Sequence, residues 1–264
     1  MVREVAQVEW VYKSDVGRVR SHNEDSMFIH APDEELVAVV VADGMGGHKA
    51  GDVASQLAAK VMEEQLVQIK AEHTLDELKT FLIESVQLAN ERILQKSREN
   101  ASMSGMGTTL VVAIIKGQHL LIGNIGDSRA YLMNDEKCEQ LTQDHSFVNE
   151  LLHMGEITEK EAMAHPQKNV IVRAVGIDDE VKPDVTVHTW AENDYLLVCT
   201  DGLTDMVSDE EIHSVIKKED QMERKADQLI QLALDAGGVD NISLALVKRT
   251  GMSSSRTGSA QEAR

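Results

Sequence analysis

Residues 36–47 of this 264-residue chain read LVAVVVADGMGG, and they contain the clearest local signal for its fold. An uninterrupted apolar run from Leu36 to Ala42 ends at Asp43, which is followed by a glycine-rich turn. A short apolar run bounded by turn residues is typical of a buried strand, and it is far below the ~18 residues that suggest a membrane-spanning helix. The segment therefore predicts a buried strand that carries a carboxylate at its end.

Other strands are predicted by alternation and by further short apolar runs. Residues 5–14 alternate, with Val8, Trp10 and Tyr12 on one face. The remaining predicted strands lie, in chain order, in 26–42 (two strands divided by a turn at Pro32–Asp33), in 106–141 (three strands), at 195–200 and at 242–247.

A helical period replaces this alternation in four segments. Residues 50–70 place Val53, Leu57 and Val61 on one stripe, and residues 75–98 repeat the pattern. Shorter helices are predicted near 209–217 and 221–236. Because two long helices precede a block of strands joined by short turns, the sequence predicts an α+β fold with antiparallel pairing.

Composition narrows the class of protein. Lys plus Arg is 26 and Asp plus Glu is 45, which gives a formal net charge of −19. Such a chain is repelled by phosphate backbones, so nucleic acid is not expected as a partner, whereas an acidic protein suits divalent cations. Hydrophobic residues make up 42%, which indicates a globular domain. We expect one domain over residues 1–250 and a disordered tail over 251–264.

The location is predicted from what the sequence does not contain. The first ten residues carry charges where a signal peptide would be apolar, and no run is long enough to span a membrane. Neither of the two cysteines lies in a C-x-x-C motif, which favours a reducing compartment. We therefore expect a cytoplasmic protein that does not insert into a membrane. We also expect the protein to be a monomer.

Four acidic residues lie next to short apolar runs. They are Asp43 in VVVADGMGG, Asp127 in IGNIGDSR, Asp201 in LLVCTDGL and Asp240 in GGVDNISLALV. A carboxylate at a strand end is rigidly held, and oxygen ligands without cysteine suit Mg²⁺ or Mn²⁺. An isolated Asp-Gly is usually only a turn, so these loops alone leave a turn and a metal site as alternatives.

The segment GRVRSHNED adds groups suited to phosphate chemistry. Arg20 offers a planar fork that can pair with two phosphate oxygens, and Glu24 and Asp25 follow closely. His48, at the expected start of a helix, could give a proton to a leaving group. Taken alone, the segment also fits a solvated charged loop, and His48 also fits a surface residue.

Seven segments then occur in a distinctive order. They are GRVRSHNED (17–25), VVADGMGGHKAGDVAS (40–55), GMGTTL (105–110), GNIGDSRAY (123–131), LTQDHS (141–146), CTDGLTD (199–205) and GGVDNIS (237–243). Together they resemble the metal-dependent protein serine/threonine phosphatases of the type 2C, or PPM, family, over about residues 8–248. The HNED and DGMGGH forms look most like the small stand-alone bacterial members. Several ordered motifs are far more specific than any one of them.

This resemblance implies a four-layer α/β/β/α sandwich, in which two stacked antiparallel sheets are flanked by helices. It implies a catalytic domain over residues 1–250, with the irregular stretch at about 145–180 as a substrate-contacting flap. It also implies two core Mn²⁺ or Mg²⁺ ions and a third, weaker one.

The resemblance also assigns roles to single residues. Asp43 resembles the carboxylate that bridges two metals, and Gly44 a ligand through its carbonyl. Asp201 and Asp240 resemble further core ligands, and Asp127 a ligand of the third ion. Arg20 resembles the arginine that binds phosphate, and His48 resembles the general acid. Glu24 and Asp25 resemble the acidic pair that holds metal-bound waters. Which of these two carboxylates touches metal directly is left open.

The implied activity is hydrolysis of phosphoserine and phosphothreonine in proteins by direct attack of a water held between two cations. The implied partners are phosphorylated proteins, including a membrane serine/threonine kinase whose action is reversed. A cysteine-dependent phosphatase is excluded because neither Cys138 nor Cys199 has an arginine six residues later. The alternative that stays open is a catalytically silent phosphatase-like domain with a regulatory or binding role.

Overall fold

The structure is a computed structural model that describes residues 3–5, 8–32, 36–46 and 50–251. Three sequence predictions fall on residues outside these ranges. They concern the general acid His48, the Asp33 side of the predicted turn, and the tail beyond Gly251.

The described chain contains strands that make two antiparallel sheets. The strands are β1 (Arg3–Val5), β2 (Val8–Asp15), β3 (Asp25–His30), β4 (Leu36–Met45), β5 (Gly107–Thr108), β6 (Leu110–Lys116), β7 (His119–Ile125), β8 (Arg129–Met133), β9 (Cys138–Gln140), β10 (Asp184–Thr189), β11 (Tyr195–Cys199) and β12 (Ile242–Arg249). One sheet, sheet A, has the order β1-β2-β12-β11-β8-β9. The other, sheet B, has the order β10-β7-β6-β4-β3, and β5 pairs with the end of β4.

Helices cover the outer face of each sheet, and short helices also lie in the predicted flap at residues 145–180. They are α1 (Ala50–Leu66), α2 (Leu75–Glu99), α3 (Phe147–His153), α4 (Glu159–Met163), α5 (Asp201–Thr204), α6 (Asp209–Ile216) and α7 (Met222–Asp235), with a short 3₁₀ turn at Ala101–Met103. Apolar side chains of α1 and α2 pack on sheet B, and those of α5, α6 and α7 pack on sheet A. A third apolar cluster lies between the sheets. The predicted α/β/β/α sandwich is confirmed.

Strand β4 explains why the apolar run from Leu36 to Ala42 is continuous. Alternate residues point to opposite faces of a strand. Ala38 and Val40 pack against the helices, whereas Val39 and Val41 pack against the other sheet. Because both faces of β4 are buried, no position in its middle accepts a polar residue.

Two details of strand prediction differ from the structure. Val8 and Trp10 are buried between the sheets as expected, but Tyr12 is 51% exposed although it shares their face. Tyr12 lies beyond Trp10, which is opposite Arg3, so this part of β2 extends past the described β1. Strand β10 was not predicted because it lies at a sheet edge and most of its residues are exposed, which removes the apolar alternation.

The strand register brings several of the acidic residues to one end of the sandwich. Asp25 at the start of β3 lies opposite Asp43 near the end of β4. In sheet A, Asp15 at the end of β2 lies opposite Ile242 at the start of β12, two residues after Asp240. Asp201 is separated from the end of β11 by one residue, Thr200, and it lies at the end of sheet A where β12 begins.

None of the helices in the described part of the chain is both long and apolar enough to cross a membrane.

Candidate active site

Asp43 is held by its backbone as well as by its strand. Its N–H donates to Thr109 Oγ1 at 2.9 Å, and its carbonyl accepts from Thr109 N and Thr108 Oγ1, both at 2.8 Å. The GMGTTL segment therefore clamps the end of β4. With the peptide groups on both sides fixed, the Asp43 carboxylate has little freedom beyond its own side-chain rotation.

Gly44, the next residue, is closely surrounded by backbone. A β-carbon at this position would lie 2.1 Å from the carbonyl oxygen of Gly51 in α1 and 2.7 Å from that of Glu24. The Gly44 N–H donates to the same Glu24 carbonyl at 3.2 Å. A side chain would separate α1 from β4, so the glycine is required by close packing and leaves the Gly44 backbone beside Glu24.

Asp201 and Asp25 link the two sheets. Asp201 begins α5 after sheet A, and its negative charge adds to the effect of burial in raising the pKa of Asp43 in sheet B. Thr200 Oγ1 donates to Asp25 Oδ2 at 3.0 Å across the same junction. Gly202 fits here because its α-carbon lies against Asn241, whose carbonyl oxygen would be 1.9 Å from an added β-carbon.

Asp240 is paired with Arg20. The Arg20 guanidinium donates to Asp240 Oδ2 at 2.7 Å, and the backbone N–H of Asn241 donates to Asp240 Oδ1 at 2.8 Å. Arg20 lies in residues 16–24, the connection between β2 and β3, which we call the Arg20 loop. Its side chain is 48% exposed, so the guanidinium is open to a ligand from solvent.

Glu24 and Asp25 occupy different environments. Glu24 Oε1 lies 3.3 Å from His22 Nε2, close to where Gly44 and Gly51 meet. Asp25 faces Asp43 across the strand pair, and its Oδ1 atom is buried without a hydrogen-bond partner among the described residues. This oxygen is available for a further contact.

Asp127 lies in the turn between β7 and β8 and is 8% exposed. The residue before it, Gly126, is bound twice by His145: the Gly126 N–H donates to His145 Nδ1 at 3.0 Å, and the His145 N–H donates to the Gly126 carbonyl at 2.9 Å. His145 Nε2 in turn lies 3.0 Å from Asp184 Oδ2 on β10. The start of the predicted flap thus fixes the turn that carries Asp127.

The flap itself is closed at its base. The Phe147 N–H donates to the Val170 carbonyl at 2.8 Å, and the Val172 N–H donates to the His145 carbonyl at 2.9 Å. Between these contacts lie α3 and α4. Lys168 then reaches Asp205, just after α5, with Nζ 2.8 Å from the carboxylate. The flap is therefore attached through its base and through Lys168, which contacts Asp205 just after α5.

A further ion pair supports this base. Arg129, two residues after Asp127, contacts both carboxylate oxygens of Asp144, which precedes His145. Arg129 also donates to the Tyr131 hydroxyl, which donates to Asp209 at the start of α6. The motifs that contain Arg129, Asp144 and His145 were recognised in the sequence, but these positioning contacts were not foreseen.

The carboxylates at this end of the sandwich are difficult to ionise together. Removal from water raises the pKa of Asp25 to about 7, of Asp201 to about 6 and of Asp127 to about 8, and it raises the pKa of Asp43 well above its usual range. Repulsion between neighbouring carboxylates acts in the same direction. Nearby positive charge is needed to keep all of them ionised near neutral pH.

The oxygen atoms fit a hard divalent cation. Within the described ranges, Asp25 Oδ1, Asp127 Oδ1 and Asp201 Oδ1 are all buried without hydrogen-bond partners, which is costly unless another group contacts them. In the part of the chain that the structure describes, no three acidic, histidine or cysteine side chains converge as a closed ligand set. That finding is compatible with oxygen-ligand sites that also use backbone carbonyls, such as that of Gly44, and water.

Comparison with known proteins identifies the family to which the chain is similar. The family model described as protein phosphatase 2C matches residues 17–237. A serine/threonine phosphatase, stp, from Listeria innocua is 41% identical over 248 residues, covering 94% of this chain and 98% of the relative.

Solved structures agree with the sequence match. The crystal structure of serine/threonine phosphatase Stp1 from Staphylococcus aureus is 39% identical, with a TM-score of 0.88 over 92% of this chain and 95% of that one. The catalytic domain of the phosphatase PstP, in complex with two manganese ions, is 36% identical, with a TM-score of 0.81 over 93% and 99% of the two chains. The chain therefore belongs to the protein phosphatase 2C family and is a serine/threonine phosphatase.

Proposed function

We propose that the protein hydrolyses phosphoserine and phosphothreonine in proteins by direct attack of water, with Mn²⁺ or Mg²⁺ as cofactor. The observation that carries this proposal is the cluster of buried carboxylates with unpartnered oxygens beside the exposed guanidinium of Arg20. It combines a site for cations with a site for the phosphate group. The two manganese ions of the PstP structure support the choice of cofactor.

Asp43, Asp201, Asp240 and the Gly44 carbonyl would hold two core ions. Asp43 is suited to a shared position because it faces Asp25 and lies close enough to Asp201 for the two charges to repel. When bound, the ions supply Lewis acidity that lowers the pKa of a water between them and so provides the nucleophile. Glu24 and Asp25 would hold metal-bound waters or an ion, and among the described residues Asp25 Oδ1 is buried without a hydrogen-bond partner.

Arg20 would bind the phosphoryl oxygens. Its fork is planar and permanently charged, so it can offset the negative charge that develops during transfer. The Asp240 contact orients the guanidinium towards the acidic cluster. No residue of the chain need form a covalent phosphoenzyme in this scheme.

Asp127 would hold a third cation, and His48 would give a proton to the leaving alkoxide. Asp127 supports this role by its buried, unpartnered Oδ1 atom. The role of His48 rests on the DGMGGH motif alone, since the residue lies outside the described ranges.

We also propose that a membrane serine/threonine kinase is among the physiological substrates, on the basis of the resemblance to stand-alone bacterial members. Dephosphorylation of the kinase encoded nearest to this gene would test that assignment. A cytoplasmic location, a monomeric state and a domain boundary at residue 250 stay predictions.

Metal dependence is the first test. The protein should hydrolyse a phosphothreonine peptide only with Mn²⁺ or Mg²⁺, because the proposed nucleophile forms only when the cations are bound. We expect EDTA treatment and desalting to abolish turnover, and added Mn²⁺ to restore it. Full activity after EDTA would contradict the mechanism. A folded protein inactive with either cation would favour the alternative of a silent phosphatase-like domain.

Asp127→Asn should raise the melting temperature of the EDTA-treated protein at pH 8. The pKa of Asp127 is raised to about 8 in the folded state, above its unfolded value, so ionisation destabilises the fold. This cost is absent below about pH 4 and grows as the pH rises towards 8. Thermal unfolding at pH 4 and pH 8 should therefore show a gain only at the higher pH.

The exposed Asp135→Asn is the matched control for that experiment. An equal change for both variants at pH 8 would argue against a buried, repelled carboxylate at Asp127. Calorimetric titration of Asp127→Asn with Mn²⁺ should retain two ions and lose the weakest one.

Arg20→Ala should lower kcat/KM on a phosphothreonine peptide by about 10- to 150-fold, the effect of losing a charge-assisted hydrogen bond. Arg224→Ala removes another exposed arginine. Arg224 lies in the first turn of α7 and pairs with Asp220, just before that helix. We expect that control to retain the wild-type value. Equal kinetics for Arg20→Ala and the control would refute phosphate binding by Arg20.

His48→Ala should slow the phosphothreonine peptide more than p-nitrophenyl phosphate. An alkoxide leaves readily only if it gains a proton, whereas p-nitrophenolate does not need one. Steady-state kcat on both substrates at saturating Mn²⁺ measures the difference. The same fractional loss on both would assign His48 a structural or water-orienting role instead.

A further inference from the structure

A single buried amide, that of Asn241, is bonded to the Arg20 loop at three places. Its Nδ2 group donates to the carbonyls of Val16 at 2.9 Å and His22 at 3.0 Å, and its Oδ1 atom accepts from the N–H of Glu24 at 2.8 Å. Asn241 is only 3% exposed. One side chain therefore contacts the beginning and the end of the loop.

The Arg20 loop is held by individual contacts, of which Asn241 supplies three. Arg18 and Asn23 add hydrogen bonds to the Leu234 carbonyl and to the Ser14 hydroxyl. Residues 16–24 belong to neither a strand nor a helix, so they lack a regular ladder of backbone hydrogen bonds. Buried backbone groups need partners, and here the amide of Asn241 supplies them. Arg20 lies between the two residues, Val16 and His22, whose carbonyls Asn241 binds.

The same loop is pressed against the segment that precedes Asn241. The Arg18 N–H donates to the Gly238 carbonyl at 2.7 Å. Gly17 has φ +78°, and a β-carbon there would lie 2.2 Å from the carbonyl oxygen of Asp240. The loop and residues 238–241 thus pack as one unit, within which Arg20 meets Asp240.

We propose that Asn241 is a positioning residue that fixes the Arg20 loop so that the Arg20 guanidinium is pre-oriented for the phosphate group. The inference rests on the proposed phosphate-binding role of Arg20. Pre-orientation matters because an exposed arginine otherwise loses conformational entropy each time a ligand orders it. Asn241 would act through Arg20 without touching the substrate.

The affinity for inorganic phosphate provides the test, because it reports the anion site without the chemical step. Competitive inhibition constants are measured at saturating Mn²⁺ for the wild type, Asn241→Ala, Arg20→Ala and the double variant. We expect Asn241→Ala to raise the inhibition constant about tenfold, with a parallel rise in KM for a phosphothreonine peptide and a smaller change in kcat. In the Arg20→Ala background the same change should have little further effect, because the group it positions is gone.

Asn134→Ala is the matched control. Asn134 also makes three hydrogen bonds, donating to Asp194 and accepting from the N–H groups of Glu136 and Lys137. It follows β8 at the end of sheet A remote from Asp201, since Met133 pairs with Tyr195 and Arg129 with Cys199. Its loss should lower thermal stability but leave phosphate inhibition unchanged. Asn241→Ser, which keeps a polar group in the buried position, replaces Asn241→Ala if the alanine variant does not fold.

The outcomes separate this inference from the proposed function. If the phosphate inhibition constant is raised in Arg20→Ala but equals the wild-type value in Asn241→Ala, only the role of Asn241 is overturned. Equal, additive losses in both backgrounds also overturn it, because they would show an effect independent of Arg20. A wild-type constant in Arg20→Ala overturns phosphate binding by Arg20 and the inference with it.

Discussion

The structure depends on a concentration of carboxylates where its two sheets meet. Asp43 is buried at the end of β4, and the charges of Asp25, Asp201 and Asp127 lie close enough to raise its pKa further. Like charges with little access to water repel strongly. Only a rigid framework can hold such groups together, and the two sheets with their long apolar core provide one.

Much of the surrounding structure serves to fix these side chains through the backbone. Thr108 and Thr109 clamp Asp43, and Gly44 and Gly202 allow neighbouring segments to approach closely. Such contacts hold the peptide groups on either side of a carboxylate. The remaining freedom is a side-chain rotation, which bound cations or water would restrict further.

The flap and the Arg20 loop are two irregular segments attached to this rigid end by different means. His145 and the Arg129–Asp144 ion pair hold the flap base beside Asp127. Asn241 holds the Arg20 loop beside Asp240. Both attachments use polar side chains bound to backbone or to a charge, because irregular segments cannot satisfy their own peptide groups.

The sequence by itself determined the elements that depend on local pattern. The run from Leu36 to Ala42 predicted β4, and the helical periods predicted α1 and α2, because burial imposes a period on neighbouring residues. The ordered motifs indicated the family and the candidate carboxylates, since each motif is local in the chain.

The tertiary structure alone decided which of these groups meet. Strand β10 escaped prediction because an exposed edge strand needs no apolar period. The exposure of Tyr12 depends on where the neighbouring strand ends. The hydrogen bonds of His145 with Gly126 and of Asn241 with the Arg20 loop join residues that are separated in sequence. Such contacts are set by the packing of the two sheets, and no local pattern of residue types encodes them.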